Sequence, residues 1–228
     1  SDANEEERDR VAHMLLLHAT ASDRELVRFL LDQEILARQT DSFQGAGDTL
    51  SILSLLLLEL GEPNPEDAWR FWSAKVANFD TYAGGYDIEF VFTQLAPGAV
   101  VEMVRTRAPD DLDMLEGYDP EAIVQGLPRW RSSMARRFPR DPAALNTYQC
   151  EAWAGLFGDT PGQERFGLQN ATTPEARARL FRRLGRHAEA VASWLEAVET
   201  TTPADQQASL LRNAMLDAAK VPMPLLDA

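Results

Sequence analysis

The segment GRHAEAVASWLEAVE, residues 185–199, decides the fold class that the sequence predicts. After its glycine, apolar side chains recur at helical spacing, so the segment predicts an amphipathic helix that follows a turn. One further helix of the same kind is expected before it and another after it. Their apolar faces are expected to be Ala176, Leu180 and Leu184 before it, Ala188, Val191, Leu195 and Val198 within it, and Ala208, Leu211, Met215 and Ala218 after it.

Capping residues and prolines predict further helix starts towards the N-terminus. Helices are expected over 5–19, from the N-cap candidate Ser22 onward, over 48–61 after a break at Gly45-Ala46-Gly47, and from Asn64-Pro65 onward. Residues 88–92 alternate like a strand, but no second strand pattern is available to pair with them. A helix is therefore expected there as well.

The middle of the chain predicts the same short helices. They are expected to begin at Pro97, Pro120 and Asp141-Pro142, with a split at Pro128 because proline removes a backbone donor. Residues 159–173 are expected to form a looser connector, and the tail after Pro222 is expected to fray. About a dozen short helices predict an all-α fold of stacked antiparallel helix pairs, an alpha-alpha superhelix, rather than a four-helix bundle.

A family resemblance is carried by the segment that begins at Gly185. Ala190, Trp194 and Ala197 follow at the spacing of the second helix of a tetratricopeptide repeat, with Pro203 one position late, so the segment resembles that family. The resemblance implies that the glycine permits a tight turn and that the two alanines let helices approach. It also implies that the tryptophan fills the groove between neighbouring helices.

The resemblance extends over about one repeat. Ala178 matches a small position of the first helix, whereas Pro174 and Arg177 stand where the family has an aromatic residue and a leucine. Residues 146–159 resemble the first helix of another repeat more loosely, and the N-terminal half shows no matching period. A tetratricopeptide-like chain and an irregular helical domain with one matching segment both stay open.

The composition predicts a folded, acidic protein. Of 228 residues 45% are apolar, enough for a sizeable core without disulfides or metals. Its 36 acidic residues exceed its 22 basic ones, and the resulting net charge of -14 repels phosphate backbones and anionic membrane surfaces. Neither nucleic acid nor a membrane is therefore expected as a partner.

The sequence also predicts the domain organisation and the cellular compartment. One helical-repeat domain is expected over 5–228, with a possible subdivision at the acidic connector 108–120, whereas 1–4 are expected to be a cloning remnant or disordered. Cys150 is the single cysteine and no secretory signal precedes the first helix, which favours the cytoplasm. Lysine is rare beside arginine, a usage expected of a GC-rich bacterial genome.

No segment carries a complete catalytic motif, so no catalytic residue and no cofactor is predicted. Asp159–Phe166 resembles the phosphate-side segment of small GTPases, but neither Lys75 nor Lys220 lies in the phosphate-binding loop that such a site needs. That segment is expected to be a turn between helices. Cys150 is expected to be a buried structural thiol, although His187 could approach it.

No metal site is predicted either. His13 and His18 differ by five positions, so they do not share one face of a helix as zinc ligands would. The acidic run 110–121 lacks the ligand spacing and central glycine of a calcium loop. It is expected to be a solvated connector.

The strongest candidate for a binding site is the segment 78–87. It gathers amide, carboxylate and phenol groups around a double glycine, a composition typical of loops that contact a partner or ligand. The residues predicted to do so are Asn78, Asp80, Tyr82, Tyr86 and Asp87. In the alternative interpretation the glycines end one helix and Asp87 caps the next.

These observations predict a non-enzymatic interaction protein whose stacked helices offer one face to a protein or peptide partner. Two alternatives stay open. One is an acidic inhibitor or immunity-type protein that masks a basic partner, and the other is an all-helical enzyme with a dispersed site. The sequence determines neither the partner nor the oligomeric state.

Overall fold

The computed structural model describes residues 4–40, 47–201 and 203–222. The expectations for residues 1–3, for the break at Gly45-Ala46 and for the tail beyond Pro222 lie outside these ranges. Within them the chain forms helices, turns and no strand, which confirms the all-α class and the helical assignment of 88–92. Contacts divide the chain into two compact units, Ser1–Ala144 and Leu145–Ala228. The single-domain expectation for 5–228 stays a prediction.

The first unit is organised around one nearly apolar helix. Its helices are α1 (Glu5–His18), α2 (Arg24–Thr40), α3 (Gly47–Glu59), α4 (Pro65–Lys75), α5 (Glu89–Phe92), α6 (Pro97–Arg107), α7 (Leu112–Glu116) and α8 (Pro120–Arg137). Because α3 is apolar on almost every side, it is buried, and α1, α2 and α4 pack on it. None of the described helices is both long enough and apolar enough to cross a bilayer.

The second unit consists of helices that pack on their neighbours in the sequence. They are α9 (Thr147–Leu156), α10 (Thr160–Asn170), α11 (Pro174–Arg183), α12 (His187–Thr200) and α13 (Ala204–Ala218). Short turns join α9 to α10 and α11 to α12, and the two members of each pair pack on each other, so each pair is an antiparallel hairpin. The last helix, α13, packs on α12.

The residues of the repeat-like segment lie at the centre of the second unit. Gly185 has a φ of 71°, a left-handed conformation that suits glycine at a tight turn between helices. Trp194 is buried against three small residues, Ala178, Ala190 and Ala197, and α13 adds Leu210 and Ala214 to the same cluster. Small residues on facing helices allow the close approach that the large indole ring then fills.

Two of the predicted apolar faces were wrong by about a third of a turn. In α12 the buried residues are Ala190, Ser193, Trp194 and Ala197, and Leu195 is exposed. In α13 they are Leu210, Ala214 and Asp217, whereas Leu211 and Met215 face solvent. The period identified each helix correctly. It could not choose between two sides of the same helix. Apolar spacing favours the side that carries leucine, whereas close packing between helices favours the side that carries alanine.

Several predicted helix boundaries were also wrong. Thr20, not Ser22, begins the helical segment before α2, through a capping box with Asp23. Asp141-Pro142 opens only a short 3-10 turn, and α9 starts later because Asn146 and Gln149 form a capping box of their own.

Two further expectations were overturned by complete helices. Pro128 lies inside the continuous helix α8. The carbonyl that it leaves without a donor belongs to Val124, whose residue is exposed, so water can bond it. The expected connector 159–173 contains the helix α10, which Asp159 caps by accepting a hydrogen bond from the Gly162 backbone N–H at 3.0 Å.

Candidate functional site

The predicted binding segment 78–87 is bonded largely to itself. Asn78 Oδ1 accepts a hydrogen bond from the Thr81 backbone N–H at 2.9 Å, and the Thr81 hydroxyl donates to the Asn78 carbonyl at 2.9 Å. Residues Thr81–Gly85 then form one wide turn in which Gly84 has a φ of 135°. Only glycine adopts that angle easily, which explains the glycine at position 84.

Tyr86 and Asp87 help to hold the first unit together. Tyr86 is buried, its hydroxyl lies 2.7 Å from the Ser54 hydroxyl, and its ring stacks on Phe90 with centroids 5.0 Å apart. Asp87 accepts a hydrogen bond from Trp130 Nε1 at 2.9 Å. Asp80 and Tyr82 are partly exposed. Three of the five predicted residues, Asn78, Tyr86 and Asp87, thus form hydrogen bonds within the chain. The role of all five in binding stays a prediction.

Sequence reasoning missed the buried lysine beneath this segment. The Lys75 ammonium donates to the carbonyls of Thr81 at 3.1 Å and Tyr86 at 2.7 Å. The rings of Tyr82 and Tyr118 lie 5.9 and 5.8 Å from Nζ, within the range of a cation–π contact. The only signal in the sequence was the rarity of lysine, which does not reveal burial.

The ionisable groups around Lys75 are perturbed by burial. Burial lowers the pKa of Lys75, although Asp87 and Glu89 oppose this shift. Burial likewise raises the pKa of Glu89 and that of Tyr118. The lysine ties both ends of the wide turn to α4. The cluster therefore supports the shape of the segment 78–87.

A second polar cluster connects helices of the second unit. Asp217 on α13 is buried and accepts hydrogen bonds from Arg182 Nε at 2.7 Å and Trp194 Nε1 at 2.9 Å. His187 Nδ1 lies 2.9 Å from its other carboxylate oxygen. A histidine oriented by a carboxylate is part of many catalytic triads. Among the described residues, however, no hydroxyl or thiol is hydrogen-bonded to His187.

Cys150 does not complete such a triad. Its thiol lies 3.9 Å from the carbonyl of Leu145, to which it donates. The residue is only partly buried, which corrects the expectation of a fully buried thiol. Nothing in the described ranges forms a group of three or more histidine, cysteine or carboxylate side chains that could hold a metal ion.

A groove lies between α2 and α4 of the first unit. Its position is set by Asp67, which is buried and accepts hydrogen bonds from Arg24 at 3.0 Å and Arg28 at 2.9 Å, both on α2. Arg70 of α4 adds a third ion pair at 3.3 Å. These bonds raise the pKa of Arg28 above its usual range. They also hold the two helices at a constant separation.

The groove is lined by both apolar and polar side chains. Its volume is about 410 Å³, and its apolar lining residues are Ile35, Leu36 and Trp69. The guanidinium of Arg107 lies over the Trp69 ring at 5.4 Å and pairs with Glu66. The lining residues Gln33, Gln39 and Ser73 supply hydrogen-bonding groups.

An apolar stripe lies on the outward side of α2, and its last residue, Leu36, also lines the groove. Leu26, Phe29 and Leu36 are 45%, 58% and 51% exposed, and their spacing of three and seven residues places them on one side of the helix. Core residues such as Val27 and Leu31 occupy the other side. The sequence signal was present, since α2 carries more large apolar residues than one buried face can hold.

No protein-family model, curated protein or solved structure matches this chain. The candidate site therefore depends on the geometry alone. We define it as the groove between α2 and α4 together with the outward stripe of α2.

Proposed function

We propose that the chain is a non-enzymatic protein-interaction module that binds an amphipathic helix of a partner protein along α2. The observation that carries this proposal is the exposed stripe of Leu26, Phe29 and Leu36, whose last residue lines the groove together with Trp69. Contiguous exposed apolar groups with a polar rim are characteristic of interaction surfaces. Aromatic residues seated in a groove are also the usual anchors of binding energy.

The charges at the groove indicate the chemistry of the partner. Asp32 pairs with Arg70 at 2.9 Å, and Glu66 pairs with Arg107. Because these charges are already paired within the chain, the partner gains most by burying apolar side chains. The stripe from Leu26 to Leu36 is about 15 Å long, which matches roughly three turns of a partner helix.

The second unit supports a finer proposal, that the chain belongs to the tetratricopeptide-like helical-repeat proteins. Its α9/α10 and α11/α12 hairpins have the organisation of two successive repeats, and α13 packs on the second of them. The Gly185 turn and the packing of Trp194 between alanines agree with the residue pattern of that family. Repeat proteins of this type commonly present binding surfaces rather than catalytic sites.

Masking of a basic partner is the second candidate function. Several exposed arginines are engaged in ion pairs, for example Arg137 with Asp48 and Arg179 with Glu175. The net charge of -14 then comes largely from carboxylates at the surface. Binding of this kind would weaken strongly with salt, whereas apolar binding would not.

Selection of peptide ligands tests the proposal directly. The purified chain is used to select binders from a displayed library of random 16-residue peptides. We expect the selected peptides to share apolar residues at positions i, i+3 or i+4, and i+7. Synthetic versions should bind with a Kd that changes little between low and high salt.

Variants of the stripe locate the site. The double variant F29E/L36E should weaken peptide binding more than tenfold, because each change places a charge in the apolar contact. The control Y148E alters another exposed aromatic residue, which is 68% exposed and outside the stripe, and should bind normally. Unchanged binding by F29E/L36E would overturn the proposal. Selection of basic, salt-sensitive peptides would instead support masking.

A further inference from the structure

The outward side of α13 is apolar although nothing in the described structure covers it. Leu211 is 43% exposed and Met215 is 73% exposed, and Ala208 and Ala218 lie on the same side of the helix. None of these four residues is charged. The other side of α13 packs on α12 through Leu210, Ala214 and Asp217.

This exposure is unusual for a helix face that meets water. α13 packs on α12 through its other side. Helix faces in contact with solvent normally carry polar residues, whereas a contiguous apolar face is characteristic of an interaction surface. The apolar outward face of α13 therefore indicates that another surface covers it.

We propose that a second copy of the chain covers this face, and that the two α13 helices pair antiparallel about a two-fold axis. The order of side-chain sizes supports this occupant. In the antiparallel alignment centred on Asn213, Leu211 meets Met215 of the second copy, and Ala208 meets Ala218. Large residues then pack at the centre and small residues at both ends, as a self-complementary interface requires.

The charges at the ends of α13 agree with the antiparallel direction. Asp205 lies in the first turn and Lys220 follows the last turn. Antiparallel pairing brings the Asp205 end of one copy beside the Lys220 end of the other, whereas parallel pairing would bring like charges together. It also places opposite ends of the two helix dipoles side by side.

The expected dimer is weak. The helix is about 22 Å long, and one helical face from each copy buries an area at the low end of specific interfaces, below roughly 1,200 Å² in total. Contacts of that size correspond to a Kd on the order of micromolar. The inference does not rest on the proposed function, because the groove and stripe belong to the other unit.

Analytical ultracentrifugation of the full chain tests the proposal. From about 1 to 500 μM the protein should change from monomer to dimer and grow no further. The single variants L211E and M215K should each stay monomeric, since each places a charge at the centre of the interface. The control L195E changes a residue of α12 that is 46% exposed and should dimerise like the wild type.

Mixing the variants tests the direction of pairing. Antiparallel packing places residue 211 opposite residue 215, so an equimolar mixture of L211E and M215K should regain the dimer through a Glu–Lys pair. Parallel packing would not restore it. Circular dichroism checks that each variant is folded. A wild type that stays monomeric at every concentration, unlimited growth, loss of the dimer in L195E or no recovery in the mixture would each overturn the proposal.

Discussion

Single buried carboxylates connect the helices of this protein. Asp67 joins α4 to α2 through Arg24 and Arg28, and Asp217 joins α13 to Arg182 and Trp194 of the preceding hairpin. Glu34 on α2 is likewise buried and pairs with Arg8 of α1. Removing one member of such a group leaves the others desolvated without compensation, which costs more than the pair contributes. These residues should therefore be sensitive to substitution although none belongs to an apolar core.

The variant D217A should lower the free energy of unfolding of the second unit by about 2–4 kcal/mol. The buried N–H of Trp194 and the guanidinium of Arg182 would both lose their acceptor. Urea denaturation followed by tryptophan fluorescence measures the change. The control E199Q alters an exposed carboxylate and should stay within about 0.5 kcal/mol of the wild type. Equal stability of D217A and E199Q would contradict the structural role.

The same carboxylate predicts a pH dependence. Burial raises the pKa of Asp217, but the hydrogen bonds from Arg182, His187 and Trp194 outweigh it, so the pKa lies below its ordinary value of 3.8. Because the pKa of Asp217 is lower in the folded state than in the unfolded state, the stabilisation that Asp217 contributes is present above about pH 4. It is lost as the pH falls through the folded-state pKa. The stability difference between wild type and D217N should therefore shrink from about pH 5 to about pH 2.

At the scale of the secondary-structure element, glycine decides the closest helix packing. Gly167 of α10 faces Leu180 of α11, and a Cβ built there would lie 2.6 Å from one Leu180 methyl group and 3.2 Å from Glu151 Oε1. The helix α10 forms in the expected connector 159–173 although it contains this glycine and Gly162. The missing side chain of Gly167 thus weakens α10 locally but allows α10 to pack against α11.

The variant G167A should lower the free energy of unfolding by about 1–2 kcal/mol. Leu180 is buried and cannot move without disturbing its surroundings, so the clash outweighs the higher helix propensity of alanine. Thermal denaturation monitored by circular dichroism measures the effect. The matched control is G126A in α8, where a Cβ meets nothing within 4 Å, and this change should stabilise the protein by about 0.5–1 kcal/mol. Stabilisation by both variants would refute the close contact.

At the scale of the whole molecule, contacts divide the chain into two units, and the boundary in the sequence lies between Ala144 and Leu145. Each unit has its own buried cluster, built around α3 in the first and around Trp194 in the second. Independent cores are the physical condition for independent folding. The acidic connector 108–120, where the sequence suggested a subdivision, contains the helix α7 with Leu115 buried.

The fragment 145–228 should fold alone. It retains both hairpins, so we expect a helical circular dichroism spectrum and one cooperative thermal transition. The control fragment 160–228 lacks α9 and leaves the packed face of α10 uncovered, so it should unfold at a lower temperature or without cooperativity. Equal behaviour of the two fragments would contradict a unit that needs α9, and an unfolded 145–228 would contradict independent folding.

The sequence by itself determined the helical class and most helix positions, and its resemblance to a tetratricopeptide repeat indicated Gly185, Ala190, Trp194 and Ala197 as packing positions. These features depend on local spacing, backbone conformation and residue size, all of which are present within a few residues. Only the tertiary structure decided that α12 buries the face of Trp194 rather than that of Leu195, which side of α13 is buried, and that Lys75 is enclosed. Each of those depends on residues far apart in the chain, and short-range periodicity carries no information about them.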